Sequence, residues 1–277
     1  MRNLIDCKTL SQRLDTPNLV VVDTRFDLKD PAAGQQQYLD GHIPGAVYLH
    51  LDDDLSGTPQ QHGGRHPLPE TDAFVTTLEQ VGIGNDSHVV VYDDSGGLFA
   101  GRLWWMLKYL GHDAVQLLDG GFAAWRAGDY PTTQEVPRPL RADFTPQPRP
   151  DMVADIDEVR RKLEDPNTLL VDARGSERYR GDNEPIDPKA GHIPSAINLP
   201  FAGNLEGGRF KDPAALAERF ELVSEAEEVI VYCGSGVSAA HNVLVLDDLG
   251  KQDVKLYVGS WSDWSSYDEN PVETGEL

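Results

Sequence analysis

The chain has 277 residues, 39% of them hydrophobic, which suffices for one large domain or two of ordinary size. Its 46 Asp and Glu against 24 Lys and Arg give a formal net charge of −22, which argues against nucleic acid, because phosphate binding needs clustered basic residues. No run of eighteen apolar residues and no apolar leader after Met1-Arg2-Asn3-Leu4 occur, so the expectation is a cytoplasmic protein without a membrane partner.

In chain order, Cys7 comes first and lies outside any glycine-rich loop, so it reads as a bystander. It is one of only two cysteines, which rules out a disulfide framework. Leu19-Val20-Val21-Val22 is an apolar strand ending in Asp23-Thr24-Arg25, and Gly41-His42-Ile43-Pro44-Gly45-Ala46-Val47 follows as a turn. His88-Val89-Val90-Val91-Tyr92 is a second strand, closed by Asp93-Asp94-Ser95-Gly96-Gly97. A helical stretch over 103–110 stops at Gly111, and Gly120-Gly121-Phe122-Ala123-Ala124-Trp125 follows. Residues 137–150 then carry five prolines, which favour an extended linker.

Beyond the linker the same features return in the same order. Thr168-Leu169-Leu170-Val171-Asp172-Ala173-Arg174 repeats the first strand, and Gly191-His192-Ile193-Pro194-Ser195-Ala196-Ile197 repeats the turn. Glu228-Val229-Ile230-Val231-Tyr232-Cys233 repeats the second strand, and Gly259-Ser260-Trp261-Ser262-Asp263-Trp264 repeats the glycine-to-tryptophan end. Four ordered matches mean duplication. The expected division is a first domain over 1–136, a linker over 137–151 and a second domain over 152–277. Apolar strands alternating with helices read as α/β, with a mostly parallel sheet covered on both faces. In such sheets the reactive groups lie beyond the carboxyl ends of the strands.

Only the second copy has a nucleophile there. Cys233-Gly234-Ser235-Gly236-Val237 joins a strand to a helix beginning near Ser238, where unpaired amides and the positive dipole end collect. An anion is stabilised at such a place, and the thiolate is the nucleophilic form of cysteine. Gly234 and Gly236 let the backbone curl its amides around one sulfur. The first copy has Asp93 at that position, so it is expected to be inert as a thiol catalyst. Both copies keep the turn histidines His42 and His192 although only one keeps the cysteine, so these read as structural, with no metal site.

The Asp-x-Arg ends, the paired Gly-His-Ile-Pro turns, the Gly-x-x-x-x-Trp ends and the single cysteine loop resemble the tandem-domain rhodanese-type sulfurtransferases over nearly the whole chain. The resemblance implies two tandem rhodanese-like domains, each a five-stranded mostly parallel sheet flanked by helices. It also implies a persulfide on Cys233 that passes from a small anionic sulfur donor to reduced thioredoxin, glutathione or cyanide, without a cofactor. The loop Cys233-Gly234-Ser235-Gly236-Val237-Ser238 is similar to that of the 3-mercaptopyruvate-using members and lacks the basic residues of thiosulfate-using ones.

By the same resemblance Ser235 pairs with His66 and Asp52 to move a proton, and Arg178 receives the donor carboxylate, with Arg180 a neighbouring candidate. Gly234, Gly236, Val237 and Ser238 line the cradle. Arg174 is expected to anchor the strand end beside Asp172. Asp187 stands where the animal mercaptopyruvate enzymes carry a second substrate arginine, so Lys189 or Arg180 is expected to substitute, or the substrate preference to shift. Competing classes are a thiosulfate:cyanide sulfurtransferase, a regulatory rhodanese-like binding module and a phosphatase. The last needs an arginine six positions after the cysteine, where Ala239 stands.

Overall fold

A computed structural model describes residues 1–276. It divides into two compact units: Met1–Gly57 with Leu68–Arg149 and Gly207–Phe210, and Thr58–Pro67 with Pro150–Glu206 and Lys211–Leu277. The division is thus not a single cut at the proline-rich stretch. His66, from the first half of the sequence, belongs to the second unit.

The first unit holds strands β1 (Leu4–Ile5), β2 (Leu19–Asp23), β3 (Val47–Tyr48), β4 (His88–Tyr92) and β5 (Val115–Leu118), in the order β1-β5-β4-β2-β3. Every pairing among them is parallel. Its helices are α1 (Cys7–Ser11), α2 (Pro31–Asp40), α3 (Thr71–Gln80), α4 (Leu98–Tyr109) and α5 (Gly121–Ala127). The central strands are buried, as a parallel sheet covered on both faces requires.

The second unit repeats the plan with β6 (Val153–Ala154), β7 (Thr168–Asp172), β8 (Ile197–Asn198) and, past the short strands β9 (Leu205–Glu206) and β10 (Arg209–Phe210, grouped with the first unit) outside the large sheets, β11 (Glu228–Tyr232) and β12 (Val254–Tyr257). Its order is β6-β12-β11-β7-β8, again parallel throughout. Helices α6 (Ile156–Lys162), α7 (Ser176–Arg180), α8 (Pro213–Arg219), α9 (Glu221–Glu225), α10 (Ala239–Asp248) and α11 (Ser260–Trp264) complete it. The sheet register is the same in both copies: Asp23 lies opposite Tyr92, and Asp172 opposite Tyr232. No helix among the described residues is long and apolar enough to cross a membrane.

The repeated motifs do the same structural work twice. Arg25 clasps Asp23 and donates to the carbonyl of Gly41 at 2.8 Å; Arg174 clasps Asp172 and donates to that of Gly191 at 2.7 Å. All four ionic side chains are buried, so each pair is held by hydrogen bonds that offset its desolvation. His42 stacks on Tyr38 with its Nδ1 2.7 Å from the Tyr38 carbonyl, and His192 does the same on Tyr179 at 2.8 Å. Both histidines are turn supports.

Candidate active site

Strand β11 delivers its last residue, Tyr232, to the carboxyl edge of the sheet, and Cys233 follows at once. The loop to α10 is pinned from one side by the start of α11. Cys233 N–H donates to Ser260 Oγ at 3.1 Å, while Trp261 and Ser262 N–H donate to the carbonyls of Cys233 and Gly234 at 3.0 and 2.9 Å. Gly236 is in the left-handed region with φ +74°, and a Cβ there would lie 2.3 Å from the Val258 carbonyl oxygen. Only glycine lets the chain fold back this tightly. Val237 is buried, and Ser238 stands at the N-cap position of α10 without a side-chain capping bond. Cys233 itself is 2% exposed, so its sulfur sits at the base of the loop rather than on the surface.

Ser235 Oγ lies 2.7 Å from His66 Nδ1, and both side chains are more than nine-tenths buried. What brings a residue 169 positions away to the loop is the segment before it. His62 stacks on Tyr267 with ring centroids 3.9 Å apart, Gly63 N–H donates to Asp263 Oδ1 at 2.7 Å, and Arg65 N–H donates to Ser262 Oγ at 3.1 Å. These anchors sit on α11 and the turn after it, the same element that pins the cysteine loop. Asp52 belongs to the first unit, in the loop after β3. It borders a groove of about 800 Å³ with His50, Tyr38 and Val136, and burial raises its carboxyl above the usual range.

Arg178, on α7, reaches the loop: a Cβ on Gly234 would lie 3.1 Å from its Nη1. Arg180 does not join it. Two residues further along a helix it faces the opposite side, and its guanidinium pairs with Asp182 and Glu276. Lys189 is likewise engaged elsewhere, its Nζ donating to the Tyr267 carbonyl at 2.6 Å. The substitutes expected for the second arginine are therefore corrected: the additional cation at the loop is Arg65, whose Nη2 lies 3.1 Å from the same Gly234 Cβ position. Sequence reasoning passed over Arg65, although its place beside His66 was a usable signal. Asp187 bridges Arg65 and Arg178.

In the first unit the corresponding loop holds its own carboxylate. At the position of the cysteine, Asp93 places Oδ1 2.8 and 2.9 Å from the N–H groups of Ser95 and Gly97, and Oδ2 2.8 and 2.9 Å from those of Phe99 and Ala100. A carboxylate thus fills a bowl of four amides at the start of α4. Among the described residues no group of His, Cys, Asp and Glu suited to a metal occurs.

The model of the rhodanese-like domain matches this chain twice, over residues 6–128 and 155–267. The chain belongs to the rhodanese family. Among its rhodanese relatives is a probable 3-mercaptopyruvate sulfurtransferase of Pseudomonas aeruginosa, 43% identical over 99% of this chain and 98% of the relative. A putative thiosulfate sulfurtransferase of Mycobacterium tuberculosis is 40% identical over 92% of this chain and 90% of its own. The crystal structure of the 3-mercaptopyruvate enzyme of Escherichia coli superposes with a TM-score of 0.82 at 31% identity, covering 94% of this chain and 99% of that one.

Proposed function

We propose that this rhodanese is a sulfurtransferase that takes a sulfane sulfur from 3-mercaptopyruvate onto Cys233 and hands it to a thiol or to cyanide. The observation that carries the reading is the cysteine at the β11–α10 turn with Ser235 Oγ and His66 Nδ1 2.7 Å apart beside it. In the first step the Cys233 thiolate attacks the donor sulfur. The S–S bond forms as the carbon–sulfur bond breaks, and its electron pair passes to the methylene carbon of the departing pyruvate enolate. The donor thiol proton leaves through Ser235 and His66 and returns to that carbon, so pyruvate departs and a persulfide anion remains.

The amides of Ser235, Val237 and Ala239, which correspond by position to three of the four that hold Asp93, are the proposed cradle of the persulfide. Gly234 and Gly236 leave it open, and Val237 and Ser238 form its far wall. Arg178 is the proposed receiver of the donor carboxylate. An acceptor thiol, such as reduced thioredoxin or glutathione, then takes the outer sulfur as its own persulfide and restores the thiolate; cyanide leaves as thiocyanate. Both cysteines are free thiols, which suits a cytoplasmic setting.

Thiosulfate is the second reading, favoured by the relative named for it. Steady-state turnover with the two donors on the purified chain separates them. A higher kcat/KM for mercaptopyruvate is expected, and a strong preference for thiosulfate overturns the first reading.

A further inference from the structure

Two guanidinium groups meet at the cysteine loop with a carboxylate wedged between them. Asp187 Oδ2 accepts from Arg178 Nη2 at 2.8 Å, and Oδ1 accepts from Arg65 Nη1. Glu184 holds Arg178 from its other side, at 3.0 and 3.2 Å from Nε and 2.9 Å from Nη2, and also accepts the amides of Ile186 and Asp187. The nitrogens nearest Gly234 are the remaining ones, Arg178 Nη1 and Arg65 Nη2.

Exposure separates the two signs of charge. The side chains of Asp187 and Glu184 are 3% and 2% exposed, those of Arg65 and Arg178 33% and 22%. The carboxylates are buried supports, and the guanidinium edges are what an arriving donor meets. Glu184 also pairs with Arg174, itself clasped by Asp172, so three acids against three arginines leave a receiver rich in N–H donors and close to neutral. Coulomb energy is linear in the ligand's charge, so adding or removing one fixed charge changes the binding of a dianion by the square of the factor for a monoanion.

We propose that Asp187 is the specificity-determining residue of this site: it holds Arg65 and Arg178 as one carboxylate receiver and, by offsetting their charge, selects a monoanionic sulfur donor over a dianionic one. The proposal rests on the sulfurtransferase reading for its substrates. It assigns the role of second arginine to Arg65 and makes the acid at 187 a positioning residue. Burial raises the Asp187 carboxyl, with Glu184 adding to the rise and Arg65, Arg178 and Arg174 opposing it.

The test compares wild type with Asp187→Asn and Arg65→Gln. Removing the acid loosens the receiver for both donors alike but is expected to favour thiosulfate about tenfold more than mercaptopyruvate in kcat/KM at low ionic strength. The thiosulfate-to-mercaptopyruvate ratio therefore rises about tenfold in D187N and falls by a similar factor in R65Q. Opposite shifts cannot come from a loss of folded protein. A ratio unmoved in D187N, or moved the same way by both variants, overturns the proposal.

A second readout needs no sulfur chemistry: the rate at which Cys233, identified by peptide mapping, is alkylated by iodoacetate relative to neutral iodoacetamide. That ratio is expected to rise in D187N and fall in R65Q, and equal ratios in all three proteins overturn the assignment of Asp187. A wild-type chain that takes no sulfur from mercaptopyruvate sinks the functional reading instead, while the alkylation ratios still decide the role of Asp187.

Discussion

Replacing Gly236 by alanine attacks the loop at its least forgiving point. The residue sits at φ +74°, where a Cβ costs about 1–2 kcal/mol by its clash with the backbone. A Cβ there would also stand 2.3 Å from the Val258 carbonyl oxygen, and the obstacle is main chain that cannot rotate away. Relief requires Val258 and the residues after it to move by roughly an ångström. Those residues include Ser260, Trp261 and Ser262, whose three hydrogen bonds pin Cys233 and Gly234. Weakening these bonds adds about 0.5–1.5 kcal/mol each, for a total of about 2.5–6.5 kcal/mol. A urea melt of G236A against wild type measures the loss, and persulfide formation by the remaining folded protein measures the damage to the cradle. G234A is the control, because its Cβ meets only the ends of the Arg178 and Arg65 side chains at 3.1 Å. It should fold normally and bind the donor more weakly. A stability loss below 1 kcal/mol in G236A together with full activity would refute the argument from backbone strain.

Three further outcomes follow from individual contacts. His66→Gln removes the proton partner of Ser235 and should lower kcat for mercaptopyruvate by about 10²-fold or more, read as the initial rate of pyruvate release, with little change in the melt. Asp93→Ala leaves four amides without their carboxylate and should destabilise the protein by about 2–4 kcal/mol in a denaturant titration, yet sulfur should still load on Cys233. Glu228, at the start of β11, is pulled up by burial but held down to about 2 by hydrogen bonds from Lys255, Lys162 and Thr168. Its contribution is fully present above the ordinary carboxylate pKa and is lost as the pH falls from about 4.5 to about 2. The stability gap between wild type and Glu228→Gln should therefore be about 1–2 kcal/mol at pH 7 and close within that window, as followed by melts across pH.

The parts legible in the sequence were those written locally. Short apolar runs, one in each copy ending in Asp-x-Arg and one in tyrosine, gave the central strands and their duplication, because a parallel strand buried on both faces must be apolar along its length. The cysteine loop was legible for the same reason, since its two glycines and following helix are contiguous. What stayed hidden depends on distance along the chain. Arg65 and Asp187 are 122 residues apart, and nothing near either one names the other. Without that pair, Asp187 looked like a missing arginine, whereas it bridges the two arginines at the loop. The choice between Arg178 and Arg180 was open to helical geometry, because residues two apart on α7 face opposite sides. Membership of residues 58–67 in the second unit rests on the stacking of His62 on Tyr267 and on bonds to Asp263 and Ser262, none of which has a periodic signature.

The central claim is that one sulfur atom, and no more, comes to rest on Cys233. Wild type, Cys233→Ser and Cys7→Ser, each incubated with 3-mercaptopyruvate and then weighed intact and mapped by peptide, decide it. The account predicts a single added sulfur on the peptide containing Cys233 in wild type and Cys7→Ser, matched by one pyruvate per chain, and none in Cys233→Ser. Sulfur on Cys7, or undiminished pyruvate release from Cys233→Ser, would contradict it.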